Sequence, residues 1–184
     1  MTLTLVVFDC DGVLVDSETV AARVTAAALA EQGWPVTPEE CLALFNGLSL
    51  PDCVPIIEAR VGKLPPGWLA GFTARILHTM AREVQPMEGA LAMLQATDAL
   101  GLPWRVASNS GRPELAAKFA ATGLASLVGD RFHSVSDGGR GKPAPDLYLA
   151  AAAAAEAPPA ACLVIEDSRP GILAARAAGM ACLA

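Results

Sequence analysis

Two aspartates separated by a single residue, Asp9 and Asp11, have the clearest capacity for chemistry in this chain. They follow a short apolar run at residues 3–8, rich in β-branched side chains, which predicts a buried strand. Side chains alternate across a strand, so both carboxylates can face one pocket while Cys10 points into the opposite packing layer. Neighbouring carboxylates repel, and burial raises the cost of charging both. A divalent cation, a lysine or a shared proton could compensate; the alternative is a solvated Asp-rich turn.

Polar side chains also follow a second apolar run, at residues 104–107. Ser108 and Asn109 come directly after it. A hydroxyl followed by a turn and a helix suits phosphate, because hydroxyl and backbone N–H groups converge there. Further along, Lys142 lies in a loop stiffened by two prolines, which limits where its ammonium group can reach. The alternatives are ordinary turn chemistry for Ser108 and an exposed loop position for Lys142.

A second acidic pair, Glu166 and Asp167, ends the apolar run at residues 162–165. Continuous apolar character is typical of a central strand that is covered on both faces. In doubly wound folds, ligands bind at the carboxyl ends of such strands. Hard oxygen ligands from two strand ends, Asp9 together with Asp167 or Glu166, would suit Mg²⁺.

The elements that position these side chains alternate between strand and helix. Apolar runs at 3–8, 104–107, 132–135, 162–165 and 180–183 are separated, after the first, by helical stretches at about 87–100, 113–122, 146–155 and 171–178. This order predicts an α/β fold with a Rossmann-like, doubly wound parallel sheet. The alternation of strand and helix is interrupted at residues 17–84, where the sequence predicts several helices and no convincing strand. We therefore expect a core of residues 1–16 and 85–184, with 17–84 as an inserted α-helical cap over the carboxyl ends of the strands.

Composition excludes several classes of protein. The chain has 184 residues, of which 53% are hydrophobic and 17% charged, so it can bury a sizeable core. A net charge of −6 argues against a nucleic-acid partner, and no apolar stretch is long enough to span a membrane. The five cysteines form no C-x-x-C pair and no C-x5-R loop, which indicates buried thiols in a reducing cytoplasm. His78 and His133 are expected to be structural or exposed.

Together these motifs resemble the haloacid dehalogenase superfamily. Its first motif, D-x-D-G-[VT]-x-x-D-[ST], matches residues 9–17, and its second, a Ser or Thr after an apolar strand, matches Ser108. Its third matches Lys142 in Gly-Lys-Pro-Ala-Pro-Asp, and its fourth matches Glu166 and Asp167. Within the superfamily, the chain is most similar to the phosphoglycolate phosphatase and β-phosphoglucomutase group, which carries a small α-helical cap after the first motif.

The resemblance implies phosphoryl transfer. Asp9 would be the nucleophile that forms an aspartyl-phosphate, and Asp11 would protonate the leaving alcohol and later deprotonate the attacking water. Mg²⁺ would be the cofactor, held by the side chains of Asp9 and Asp167, the main-chain carbonyl of Asp11, and Glu166.

The resemblance also assigns the phosphate-binding side chains. Ser108, Asn109 and Lys142 would bind the oxygens of the transferring phosphoryl group, where charge must be stabilised in the transition state. The expected partner is a small phosphorylated substrate, such as a sugar or sugar-acid phosphate. We expect a monomer, with a dimer as the alternative.

Two departures from the mutase pattern favour a hydrolase. β-Phosphoglucomutases carry a cap histidine where this chain has Ala21, and an arginine where it has Leu50. A sugar phosphomutase is nevertheless the alternative enzyme, and a phosphate-binding protein without turnover is the non-enzymatic one. An acid/base such as Asp11 serves no purpose in a binding protein, which argues against the last reading.

The cap loop of related proteins faces the active site, so Asn46, Gly47 and Ser49 are candidate specificity residues. The family pattern also continues beyond the last strand of this chain into a further strand and helix. Because the chain ends at Ala184, we expect an uncovered sheet edge near residues 180–183.

Overall fold

A five-stranded parallel sheet organises the part of the chain that carries the motifs. The computed structural model describes residues 2–45 and 50–184, apart from the side chains of Leu50 and Pro51. Seven strands lie within the described residues: β1 (Leu5–Phe8), β2 (Val15–Asp16), β3 (Gln85–Pro86), β4 (Trp104–Ser108), β5 (Phe132–Ser134), β6 (Cys162–Ile165) and β7 (Ala181–Leu183). All except β2 and β3 belong to the five-stranded sheet. The order in the sheet is β5-β4-β1-β6-β7, and every neighbouring pair is parallel. The strands therefore end at one common edge.

The helices divide between two compact units, residues 1–16 with 85–184 and residues 17–84. We call the first the core unit and the second the helical unit. The helical unit holds α1 (Ser17–Glu31), α2 (Pro38–Phe45), α3 (Leu50–Val61) and α4 (Trp68–Glu83). The core unit holds α5 (Ala90–Ala99), α6 (Arg112–Ala121), α7 (Ala125–Val128), α8 (Asp146–Ala154) and α9 (Arg169–Ala177). No helix within these described ranges has the length and apolar character needed to cross a membrane.

The central strand β1 is buried along its whole length, as its continuous apolar sequence requires. Its register places Phe8 opposite Val106 of β4 and opposite Ile165 of β6. One face of the sheet packs on α8 and α9 through Tyr148 and through small side chains such as Ala174. This close packing holds the ends of β1, β4 and β6 in fixed relative positions.

The helical unit has a core of its own. Ala22, Ala26 and Leu29 of α1 pack with Cys41 of α2 and with α3. The apolar stripe of α4 is also buried, at the helical spacing Phe72, Ile76 and Met80. The residues of this unit that the structure describes contain no strand, in agreement with the helical reading of the sequence.

The predicted α/β fold class is confirmed, since each predicted strand of the parallel sheet is present within a few residues of its expected bounds. The short antiparallel ribbon of β2 and β3 was not predicted, because strands of two residues carry no periodicity. β5 and β7 lie at the two edges of the sheet. The role of residues 17–84 as a cap stays a prediction.

Candidate active site

The ends of β1 and β6 bring Asp9 beside Glu166 and Asp167. The backbone N–H of Asp9 donates to the carbonyl of Ile165 at 2.9 Å, which continues the pairing of the two strands by one residue. The exposed fraction is 7% for Asp9 and 2% for Glu166, whereas Asp167 is exposed. Two acidic side chains are thus buried together at the edge where the strands end, with a third beside them at the surface.

Lys142 links the two buried carboxylates. Its Nζ lies 2.6 Å from Asp9 Oδ1 and 2.9 Å from Glu166 Oε1, and it also lies 4.9 Å from the ring centroid of Tyr148. Charge-assisted hydrogen bonds of this length are strong, and low exposure of all three partners keeps water from competing. The loop lysine that sequence reasoning selected is therefore buried in the acidic site, not at the surface.

Asn109 holds the Lys142 loop in place. The backbone N–H of Lys142 donates to Asn109 Oδ1 at 2.7 Å, and Asn109 Nδ2 donates to the carbonyl of Lys142 at 3.2 Å. The side-chain amide of Asn109 therefore binds both the backbone N–H and the backbone carbonyl of Lys142. The role of Asn109 in binding phosphate stays a prediction. The structure adds a second role, which is to position the Lys142 loop.

Glu166 is fixed by the start of α9. The backbone N–H and the hydroxyl of Ser168 donate to Glu166 Oε2 at 2.8 and 2.9 Å. Ser168 also caps the helix, because its hydroxyl accepts from the N–H of Gly171 at 3.2 Å. A Cβ atom on Gly171 would lie 1.9 Å from the Glu166 carboxyl carbon, so a glycine is required there. The fourth motif therefore combines a fixed carboxylate, Glu166, with the capped start of α9, which approaches that carboxylate closely at Gly171.

The electrostatics of this group favour a cation. Burial raises the pKa of Asp9 to about 7; the ammonium of Lys142 opposes this shift, and the charges of Glu166 and Asp11 add to it. Burial also raises the pKa of Asp167, and the charge of Glu166 contributes to the same shift. Three carboxyl groups, those of Asp9, Glu166 and Asp167, share one lysine, Lys142. A further positive charge would therefore stabilise their ionised forms.

The donor set fits a hard divalent cation. One oxygen each of Asp9, Glu166 and Asp167 lie within 4.8 Å of one another. Carboxylate oxygens are the ligands that Mg²⁺ and related ions prefer. Gly12 closes the site from the loop after β1: its φ is +79°, and a Cβ there would lie 2.0 Å from Asp167 Oδ2. The positive φ is the main reason for glycine at this position, since side chains rarely adopt that backbone conformation.

Asp11 has a different set of partners from Asp9. Its Oδ2 lies within hydrogen-bond distance of the hydroxyls of Ser110 at 3.2 Å and Ser108 at 3.4 Å. Its Oδ1 lies 2.6 Å from Nζ of Lys118. The two aspartates of the first motif are therefore held in unlike surroundings, which is the condition under which two nearby carboxyl groups take different protonation states.

Sequence reasoning missed Lys118, Ser110 and Glu114. Lys118 of α6 is 1% exposed, and its Nζ lies 2.5 Å from Glu114 Oε1 as well as beside Asp11. Burial lowers the pKa of Lys118, but the charges of Asp11 and Glu114 raise it more, so it lies above its ordinary value. A signal was present: Lys118 follows Leu115 by three residues, on the buried face of α6, where a lysine without a partner would be costly.

The candidate specificity residues Asn46, Gly47 and Ser49 lie outside the described residues. The rest of the predicted site residues converge at the carboxyl ends of β1, β4 and β6: Asp9, Asp11, Ser108, Asn109, Lys142, Glu166 and Asp167. Chemically, the arrangement combines a buried carboxylate that could act as a nucleophile, a second carboxyl group with other partners, and positive charge that could bind an anion.

Comparison with known proteins identifies the family of this chain. The family model for haloacid dehalogenase-like hydrolases matches residues 3–179. Hexitol phosphatase A of Escherichia coli (strain K12) is 32% identical over 175 residues, covering 94% of this chain and 78% of that protein. The 6-phosphogluconate phosphatase of the same strain is 30% identical over 177 residues, covering 95% of this chain and 79% of that protein.

A solved structure agrees with these relatives. The haloacid dehalogenase family hydrolase of Deinococcus radiodurans R1, determined with bound phosphate and sodium, superposes with a TM-score of 0.87 at 37% identity. The match covers 98% of this chain and 79% of that one. The predicted resemblance is confirmed: the chain belongs to the haloacid dehalogenase-like hydrolase family, and it is an enzyme of the phosphoric monoester hydrolase class.

Proposed function

We propose that the chain is a Mg²⁺-dependent phosphatase of small phosphorylated metabolites, with a sugar or sugar-acid phosphate as substrate. The observation that carries the proposal is the position of Asp9, which belongs both to the acidic cluster and to the ion pair with Lys142. Relatives named for hexitol phosphate and 6-phosphogluconate hydrolysis support the substrate class.

In the proposed first step, a carboxylate oxygen of Asp9 attacks phosphorus and the bond from phosphorus to the leaving oxygen breaks. Asp11 gives its proton to that oxygen, so the product leaves as an alcohol. Lys142 and the Ser108 hydroxyl would bind the phosphoryl oxygens, where negative charge must be stabilised. Each aspartate has its own lysine partner, Lys142 for Asp9 and Lys118 for Asp11, so the two carboxyl groups can be oriented separately for these two roles.

In the second step, Asp11 removes a proton from water, whose oxygen attacks phosphorus and releases Asp9. Asp9, Asp167, the main-chain carbonyl of Asp11, and Glu166 are the groups that would hold Mg²⁺. When bound, the ion would offset the repulsion between the anionic nucleophile and the anionic phosphate. Both oxygens of Glu166 already accept hydrogen bonds, which makes Asp9 and Asp167 the stronger candidates for direct ligation.

A substrate panel with a chelator control tests this proposal. We expect turnover of p-nitrophenyl phosphate and of sugar or sugar-acid phosphates, loss of all turnover in EDTA, and recovery with Mg²⁺. Ca²⁺ should substitute poorly, since it prefers more ligands at longer distances. Thermal unfolding supplies a second readout: Mg²⁺ should raise the Tm of the chelated wild type and raise that of Asp167→Asn less.

Two results of that panel would contradict the proposal. Undiminished turnover in chelator would remove the metal from the mechanism. Conversion of one sugar phosphate into its isomer through a bisphosphorylated intermediate, in place of phosphate release, would favour the mutase alternative. The cytoplasmic location and the monomeric state stay predictions.

A further inference from the structure

Lys118, which is buried, forms a second ion-pair cluster in the core unit with two partly exposed carboxylates. Its Nζ lies 2.6 Å from Asp11 Oδ1 and 2.5 Å from Glu114 Oε1, and it donates to the hydroxyl of Ser110 at 2.9 Å. The ammonium group thus has three oxygen partners, which matches its three N–H donors. We call Lys118, Glu114, Ser110 and Asp11 the α6 cluster.

The α6 cluster fixes the Asp11 carboxylate from both sides. Oδ1 accepts from Lys118, and Oδ2 lies within hydrogen-bond distance of the hydroxyls of Ser110 and Ser108. Lys118 and Glu114 are one turn apart on α6, where Leu115 is fully buried. Because the helix is anchored in the core, the ammonium group has a fixed position against the end of β1.

The order of ion pairs in this cluster parallels that around Asp9, although Asp11 and Glu114 are more exposed than Asp9 and Glu166. There, an aspartate of the first motif pairs with Lys142, which also pairs with Glu166, which accepts from Ser168. In the α6 cluster, Asp11 pairs with Lys118, which also pairs with Glu114, whose Oε1 lies 3.0 Å from the Ser110 hydroxyl. Each aspartate therefore has its own buried lysine, and the two carboxylates cannot exchange partners without moving a helix or a loop.

Stability alone does not account for a buried lysine at this position. A buried ion pair costs much of its attraction in desolvation, and apolar side chains of similar volume often serve stability as well or better. The position is otherwise suited to an apolar residue, since it lies on the buried face of α6 between Leu115 and Phe119. What the lysine adds is a directional contact to one carboxylate oxygen.

We propose that Lys118 is a positioning residue, which holds the Asp11 carboxylate in the orientation needed for proton transfer to the leaving group. This inference rests on the proposed function, in which Asp11 is the general acid and base. It assigns to α6 a part in catalysis that the four sequence motifs do not include. Without Lys118, Asp11 would rotate about its side-chain bonds, and the productive orientation would be populated less.

The test compares single-turnover phosphorylation of the Mg²⁺-supplemented enzyme by phenyl phosphate and by p-nitrophenyl phosphate. The two probes differ chiefly in how much their leaving group needs a proton. Lys118→Met should lower the rate with phenyl phosphate by about 10²-fold, the loss typical of a misplaced catalytic group. The rate with p-nitrophenyl phosphate should fall far less, since p-nitrophenolate leaves without proton transfer.

Four further variants complete the design, two of them at Asp11. Lys118→Arg keeps a cation and should recover part of the phenyl phosphate rate. Asp11→Asn with Lys118→Met should be no slower than Asp11→Asn alone, because a residue that acts through Asp11 adds nothing once Asp11 is lost. Lys63→Met, which removes an exposed lysine of the helical unit, is the matched control and should keep wild-type rates.

Circular dichroism checks that each variant folds, and Glu114→Gln replaces Lys118→Met if the latter does not. Glu114→Gln weakens one contact of the Lys118 ammonium group. We therefore expect the phenyl phosphate rate to fall more than the p-nitrophenyl phosphate rate, but by a smaller factor than in Lys118→Met. Equal losses with both probes, or additive losses in the double variant, would overturn the role of Lys118. If Asp11→Asn itself showed no bias between the probes, the proposed acid role of Asp11 would be wrong instead.

Discussion

At the scale of single residues, the site pairs each aspartate of the first motif with a separate lysine. Lys142 could be selected from the sequence because a proline-rich loop marks it as constrained. Lys118 could not be selected by motif, because its helix contains other polar residues and a helical lysine is usually exposed. Only the packing of α6 shows that this lysine faces Asp11.

His133 offers a residue-scale prediction about pH. Burial lowers the pKa of His133 below its ordinary value of 6.5; Arg105 and Arg112 lower it further, and Asp137 opposes them. The folded protein therefore favours the neutral ring. As pH falls below about 6.5, the unfolded chain takes up the proton first, so the free energy of unfolding should decrease.

The variant His133→Gln should flatten this part of the stability profile, measured as urea unfolding between about pH 8 and pH 5. His78→Gln is the matched control and must retain the dependence that His133 causes. An unchanged slope in His133→Gln would show that the ring is not held in the neutral form. The result also bears on the expectation that this histidine is structural.

At the scale of elements, the site depends on where strands end and how closely the next helix approaches. The apolar runs predicted the strand ends well, because a buried parallel strand needs continuous apolar sequence. Helix starts were predicted less well: α9 begins at Arg169, two residues before the expected start at 171. Ser168 caps it, and a proline is tolerated in a first turn, so Pro170 does not delay the helix.

Gly171 gives the element-scale prediction. Gly171→Ala would place a Cβ 1.9 Å from the carboxyl group of Glu166, which is buried and held by hydrogen bonds from Lys142 and Ser168. We expect a destabilisation of about 1–3 kcal/mol, typical of overpacking. Turnover should also fall, because Glu166 accepts from Lys142. Chemical unfolding and the p-nitrophenyl phosphate assay measure the two effects.

Gly71→Ala is the matched control, since Gly71 lies inside α4 and nothing stands within 4 Å of a Cβ there. An alanine in an open helix position should stabilise the protein by up to about 1 kcal/mol. If Gly171→Ala behaved in the same way, the close approach of α9 to Glu166 would be wrong.

At the scale of the whole molecule, the chain has two compact units, and the described chemistry lies in the core unit. The sequence predicted this core because its strands, motifs and turns all indicate the same parallel sheet. It did not predict the α6 cluster or the role of Asn109 at the Lys142 loop, since both arise from contacts between residues distant in sequence. The predicted specificity residues Asn46, Gly47 and Ser49 lie outside the described residues, so their role stays a prediction.

The covalent step on Asp9 is tested most directly by rapid acid quench of Asp11→Asn after mixing with p-nitrophenyl phosphate and Mg²⁺. Asp11→Asn removes the base for the second step, so the aspartyl-phosphate should accumulate. Asp9→Asn is the matched variant without the nucleophile, and Asp130→Asn, at an exposed turn, is the control.

We predict a burst of about one p-nitrophenolate per Asp11→Asn enzyme, as expected of an accumulating covalent intermediate, with the phosphoryl group on the peptide that contains Asp9. Asp9→Asn should give no burst and less than about a hundredth of the wild-type turnover, while Asp130→Asn matches the wild type. A phosphoryl group on another residue, or substantial turnover in Asp9→Asn, would contradict covalent catalysis by Asp9.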